Sequence, residues 1–159
     1  MSYKNTSWFR APEKSWVRPE EFKNMVLRLP VVLINGAFDL LHCGHLRVIA
    51  LARHKAGSGT VIVALDSDDR VAGNKGPGRP ILSWIERAAM FNYLPVDIIV
   101  EIEDDEDMKT LIEGVQPDLR VQGGDYARHS SKFPGVKKIF VSNRGAHTSE
   151  IIRRIRGNG

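Results

Sequence analysis

The sequence predicts a doubly wound α/β domain built on a parallel sheet. Three observations carry that expectation. Short, largely β-branched apolar runs recur along the chain, at 31–34, 60–65, 96–100, 119–121 and 139–141, each too short for a core helix. Stretches of good helix formers lie between them, so strand and helix alternate as in a parallel sheet covered on both faces. The glycine-rich and polar segments follow the strands. In open sheets of this kind ligands bind beyond the carboxyl ends of the strands.

Length and composition set the outer bounds. The 159 residues fit one domain with a real core, and 42% hydrophobic with 26% charged residues is ordinary for a globular chain. No apolar run approaches the ~20 residues needed to cross a bilayer, and Met1–Thr6 lacks the apolar core of a signal peptide. The single cysteine, Cys43, excludes an internal disulfide framework and fits a reducing compartment. A cytoplasmic protein without a membrane partner is expected. The net charge of +4 suits a polyphosphate as well as a nucleic acid. Basic residues are scattered, with no zinc-finger spacing or RNA-recognition signature, so no nucleic-acid partner is expected.

Residues 1–28 stand outside the alternation as an N-terminal extension, and 29–159 form the domain. Trp8, Phe9 and Trp16 make the extension too aromatic for a disordered tail. Its Pro19–Val26 segment reads as a short helix, and a packing arm is the expected role. The first strand, Val31–Ile34, leads through a turn into a helix that runs to Ala56 and stops at Gly57. A second strand, Thr60–Leu65, is followed by a long loop, Asp66 to Leu82. Ser83 and Glu86 have capping-box spacing and start a helix to about Tyr93. The third strand is Val96–Val100. Asp104–Asp107 then open a helix to about Gly114, acidic where the dipole favours it. Leu119–Val121 and Ile139–Val141 complete five strands, and Ser149–Arg156 form the last helix.

The chemistry centres on the turn Asn35-Gly36-Ala37-Phe38-Asp39-Leu40-Leu41-His42-Cys43-Gly44-His45. His42 and His45 stand three apart where a helix begins, so both can face one ligand. The orphan N–H groups and positive dipole end of that helix make an anion site. Gly36 and Gly44 leave room for a ligand to approach the backbone. Two imidazoles, a helix N-terminus and close access suit a phosphate on which charge develops.

His42-Cys43-Gly44-His45 resembles the HxGH signature of the nucleotidyltransferase superfamily that includes the cytidylyltransferases. The longer Asn35–His45 string is similar to the adenylyltransferase domain of ADP-heptose synthases and, nearly as well, to glycerol-3-phosphate cytidylyltransferases. The resemblance covers residues from about 30 to 156 and implies a five-stranded Rossmann-like sheet. It implies nucleotidyl transfer, in which a sugar or polyol phosphate attacks the α-phosphorus of a nucleoside triphosphate and pyrophosphate leaves. His42 and His45 become the expected catalytic donors, with Lys75, and Asn35, Gly36, Ala37, Phe38, Asp39 and Gly44 the expected nucleotide contacts.

Further segments join them. Lys75-Gly76-Pro77-Gly78-Arg79-Pro80 resembles a loop of the heptose enzymes, and its cations Lys75 and Arg79 can close over phosphates. Glu86-Arg87 matches a pair on the family's helix, which implies that Arg87 holds nucleotide phosphates. Gly123-Gly124-Asp125-Tyr126 is similar to a Lys-Gly-Gly-Asp-Tyr segment, with Gln122 in place of the lysine. Thr148 and Ser149 open the last helix, as capping or phosphate-binding hydroxyls, and His147 stands where the heptose enzymes usually carry Ser.

ATP and a heptose-1-phosphate-like acceptor are the expected substrates. The competing expectations are CTP with glycerol 3-phosphate or another polyol phosphate, and a nucleotide-binding module without turnover. Mg²⁺ is expected to arrive on the triphosphate, with no metal ligand from the chain. The resemblance also implies a homodimer. The acidic run Glu101–Asp107 reads as a solvated helix start. For Asp39, orienting a histidine, positioning the nucleotide and forming a turn all remain open.

Overall fold

The computed structural model describes residues 15–124, 133, 135–142 and 147–157. Strands β1 (Ser15–Val17), β2 (Val31–Gly36), β3 (Thr60–Asp66), β4 (Ile98–Ile102), β5 (Leu119–Gly123) and β6 (Lys138–Val141) form one sheet in the order β1-β4-β3-β2-β5-β6. Every pairing is parallel. The expected doubly wound class holds, with six strands in place of five. The additional strand comes from the extension: Ser15–Val17 pair with Ile98–Val100 at the sheet edge. Trp16 meets Trp84 edge-on, with ring centroids 5.3 Å apart.

Helices α1 (Cys43–Ala56) and α3 (Trp84–Phe91) cover one face of the sheet. Val32 and Ile34 of β2 and Val61, Val63 and Leu65 of β3 point toward them, against Val48, Ile49, Ala52 and Phe91. The alternate residues Val31, Leu33, Ile62 and Ala64 face α4 (Asp105–Val115) and the short 3₁₀ turn Pro19–Asn24. Strands buried on both faces therefore read as continuous apolar runs. Phe22 of that turn is 2% exposed and packs in the same core as Met108 and Leu111. The described part of the extension, residues 15–28, packs on the domain, and residues 1–14 lie outside the described residues.

Several elements differ from the sequence reading. The segment read as a loop between β3 and α3 contains α2 (Asp68–Lys75), capped by Ser67, whose hydroxyl accepts from the Arg70 N–H. Only Val71 of α2 is buried, so the helix carries no apolar stripe for a period to reveal. β4 begins two residues late because Asp97 is occupied before it: one carboxylate oxygen takes the Val61 N–H and the Arg53 guanidinium. β2 and β5 run on through polar Asn35-Gly36 and Gln122-Gly123, beyond the apolar runs. The final helix, α5 (Thr148–Ile155), has no fully buried residue.

The order in which strands are added reverses between β2 and β5: the strands that follow β2 build outward on one side, and β5 and β6 on the other. The connections leaving these two strands diverge there and open a crevice.

Candidate active site

Gly36 ends β2 with φ 152°, a conformation that disfavours a side chain. Beyond it the chain turns sharply, with Phe38 (φ 48°) and Leu40 (φ 45°) both in the left-handed region that L-residues avoid. Asp39, between them and 1% exposed, holds this turn. One carboxylate oxygen accepts from the Ile81 N–H at 2.9 Å and pairs with the Arg79 guanidinium. The other accepts from the Leu82 N–H at 3.0 Å. Asp39 thus ties the turn to the loop before α3 and makes no hydrogen bond to a histidine among the described residues. Its backbone carbonyl accepts from the Thr148 hydroxyl at 2.8 Å, which brings α5 to the same place.

His42 caps α1: its Nδ1 accepts from the Gly44 N–H at 3.1 Å. An accepting Nδ1 leaves the neutral ring's proton on Nε2. His45 stacks on His42, with ring centroids 3.8 Å apart and planes 18° from parallel, and Phe38 flanks it at 5.2 Å. Burial, then the neighbouring His42, lowers the His45 pKa from 6.5 to about 4, and the nearby Lys75 charge adds to this against the opposing pull of Asp39. His45 is neutral at physiological pH, and its Nδ1 is buried without a hydrogen-bond partner.

A cavity of about 120 Å³ opens on this pair. Asn35, Gly36, Ala37, Phe38 and Asp39 form its floor, and His42, Gly44 and His45 one wall. Lys75 and Arg79 close a second side, and Gly123, Thr148 and Ser149 a third. An open groove between the 75–79 segment and α5 continues from it, sharing Lys75, Arg79 and Ser149. Pockets that engulf a drug-sized ligand hold about 300 Å³ or more. The closed part therefore suits a portion of a nucleotide, such as its phosphates, with the rest in the groove. Among the described residues Asp39 is the only carboxylate in the cavity wall, and both its oxygens are bonded. The cavity therefore favours anions.

The structure brings most of the expected residues together and separates two. Arg87 is absent from the cavity wall. It is 0% exposed, and it donates to Leu82 O at 3.1 Å, Ala37 O at 2.6 Å and Asp68 Oδ1 at 2.7 Å. The expected phosphate contact is corrected to a clamp that holds the turn, α2 and α3 together. Gly124 also lies outside the cavity; a Cβ there would sit 3.3 Å from Val141 O, so it serves strand packing. Asp125 lies outside the described residues.

Other residues join the site without a sequence signal. Val48 lines the cavity from α1, and His147 from the start of α5. Arg120 and Gln122 reach Asn35 from β5. The acidic run 101–107 is a helix start only in its second half: Glu101 belongs to β4, and Asp104 caps α4, its carboxylate accepting from the Glu106 and Asp107 N–H groups. No group of three or more His, Cys, Asp or Glu among the described residues could hold a metal ion. No helix among them is long and apolar enough to cross a membrane.

Fold and site define a class: the chain belongs to the cytidylyltransferase-like family, whose model matches residues 33–153. Within it, the chain is 37% identical over 132 residues to the bifunctional protein HldE of Sulfurimonas denitrificans, covering 80% of this chain and 27% of that protein. It spans under a third of the length of the curated relatives it matches. The lipopolysaccharide core biosynthesis protein from Thermoplasma volcanium has a TM-score of 0.58 at 28% identity, over 74% of this chain and 98% of that one. Pantoate-beta-alanine ligase from Francisella tularensis, complexed with Beta-gamma ATP and Beta-alanine, has a TM-score of 0.59 over 91% of this chain and 77% of that one. Its 13% identity speaks for the fold alone.

Proposed function

We propose that the protein transfers a nucleoside monophosphate from ATP to a phosphorylated sugar of the heptose-1-phosphate kind. The single observation that carries this reading is the stacked His42–His45 pair at the α1 N-terminus, facing a cavity whose described lining holds no uncommitted carboxylate. An acceptor phosphate oxygen attacks the α-phosphorus, the bond from that phosphorus to the oxygen bridging to the β-phosphate breaks, and pyrophosphate leaves with the electron pair. The nucleophile needs no base, because a phosphate monoester has a second pKa of about 6 and is largely dianionic at neutral pH. What the reaction needs is alignment and donors for the charge that gathers on the leaving group.

In this reading the His42 Nε2–H and the Lys75 ammonium meet the leaving pyrophosphate. The neutral His45 packs beneath His42 and contributes its own ring nitrogen to the phosphates. Arg79, held by Asp39, borders the phosphate path. Mg²⁺ belongs to the proposal as an ion carried by the triphosphate, where it neutralises phosphate charge. The described cavity wall offers it no unbonded carboxylate. A homodimer is part of the same proposal, and analytical ultracentrifugation tests it.

The HldE relatives support the heptose branch. The family's description favours a second reading, CTP with glycerol 3-phosphate or a similar polyol phosphate. Pyrophosphate release with ATP or CTP against heptose 1-phosphate or glycerol 3-phosphate, each with Mg²⁺, tests both. Release with ATP and the heptose phosphate is expected. Release with CTP and glycerol phosphate alone would overturn the leading branch, and nucleotide binding with no release in any combination would overturn the enzyme reading.

A further inference from the structure

Arg120 is the unusual buried group of this molecule. It is 2% exposed in β5, and no carboxylate pairs with it among the described residues. Its Nε and one Nη are sealed from solvent with no hydrogen-bond partner, and Phe133 covers the guanidinium at 5.5 Å. A β6 residue beside it in register is another cation, Lys138. Burial lowers the Arg120 pKa to about 10, so it keeps its charge at neutral pH. An uncompensated buried charge is costly to keep, so some other interaction must account for it.

The hydrogen bond it makes among the described residues points to the answer. Arg120 Nη2 and Gln122 Nε2 both donate to Asn35 Oδ1, each at 3.0 Å. Two converging donors fix the orientation of the Asn35 amide, since the flipped amide would set its NH₂ against both. Asn35 Nδ2 is then aimed away from them. It makes no hydrogen bond among the described residues, it is not one of the buried unpaired atoms, and Asn35 is a wall of the cavity.

We propose that Arg120 and Gln122 lock the Asn35 amide so that its Nδ2–H donors meet a phosphate oxygen of the ligand, with the Arg120 charge acting on the same anion. Arg120 is a positioning residue: it acts through Asn35. Gln122 completes the lock as a neutral donor, and a cation at that position would set a second positive charge beside Arg120. The proposal rests on the nucleotidyl-transfer reading for the kind of ligand, and it is tested without turnover.

The experiment is calorimetry on the full chain in two arms. The first titrates a nonhydrolysable ATP analogue with Mg²⁺. The second titrates inorganic phosphate into protein saturated with that analogue, as a probe of the acceptor's phosphate. Arg120→Met and Asn35→Ala are each expected to weaken one arm by ~10-fold, the effect of losing a charge-assisted hydrogen bond. The double variant is expected to lose little more than either single one, and Arg120→Lys, which keeps the charge, to recover part of the affinity. Loss in the first arm assigns the contact to the nucleotide and loss in the second to the acceptor. Arg120→Met is also expected to keep or raise Tm, because it removes an unpaired buried charge. Unchanged affinity in both arms, whatever the Tm, overturns the proposal. Turnover is not read, so failure of the transfer reading leaves this outcome distinct.

Discussion

Two arginines, each almost wholly buried, flank the switch point of the sheet and are treated in opposite ways. Arg87, on the β2 side, bonds to Leu82, Ala37 and Asp68 through its three guanidinium nitrogens. Arg120, on the β5 side, makes one hydrogen bond among the described residues and leaves two nitrogens without a partner there. On the first side every buried charge is spent on architecture: Arg87 clamps the turn, and Asp39 and Arg79 tie it to the segment before α3. On the second side a charge is held in reserve. Saturated groups build the cavity, and the cavity-lining groups left with hydrogen-bonding capacity among the described residues, His45 and Asn35 Nδ2, are those a phosphate can engage, with Arg120 acting through Asn35.

The largest effects separate construction from chemistry. Asp39→Ala removes the side-chain acceptors of two backbone N–H groups, Ile81 and Leu82, together with the Arg79 partner, and breaking a buried pair typically costs ~3–5 kcal/mol. Urea unfolding is expected to register that loss; a midpoint like that of the native chain would deny the turn its anchor. His42→Ala removes the α1 cap, so it is expected to lower the unfolding free energy by about 1 kcal/mol, well below the Asp39→Ala loss, and to lower kcat by about 10²–10³ with little change in nucleotide affinity. A loss confined to affinity would make His42 a ground-state contact.

The next effect depends on pH. His45 is held near 4, below its ordinary 6.5, by burial and by His42. The folded state resists protonation, so this contribution is complete above pH 6.5 and is lost as pH falls toward 4, on the order of 3 kcal/mol. Unfolding free energies of the native chain and of His45→Gln, measured from pH 7 to 4, are expected to diverge across that window. Parallel curves would place His45 in a solvated setting. Smallest is Lys75→Met. Lys75 ends α2 and lines the cavity without an ion pair among the described residues. Its loss is expected to weaken triphosphate binding by ~10-fold and leave Tm unchanged. A Tm drop without an affinity change would return Lys75 to the architecture.

How much of this was legible in the sequence follows the same division. The Asn35–His45 turn is contiguous, and its spacing alone brings two imidazoles to a helix N-terminus, so the site's centre could be read directly. The parallel sheet was legible because strands buried on both faces leave unbroken apolar runs. α2 was not legible, since a surface helix with one buried residue has no period to detect. β1 was missed because three residues at a sheet edge give too short a signal. Arg87 was placed near the site correctly but in the wrong role. A sequence shows a cation close to a site, and only the fold shows that Ala37, Leu82 and Asp68 already consume it. Arg120 carried a faint mark, a charge inside an apolar strand, whose meaning depends on Asn35 lying 85 residues away along the chain.

The claim that the undersatisfied groups await a phosphate is tested most directly by titrating His45. Proton–nitrogen correlation spectra of its ring would be followed against pH, with and without a nonhydrolysable triphosphate and Mg²⁺. The account predicts titration near pH 4 in the free protein, and a clear upward shift when the polyanion is bound, because a nearby negative charge favours the imidazolium. The same midpoint in both states would contradict it, placing the triphosphate away from the histidine pair.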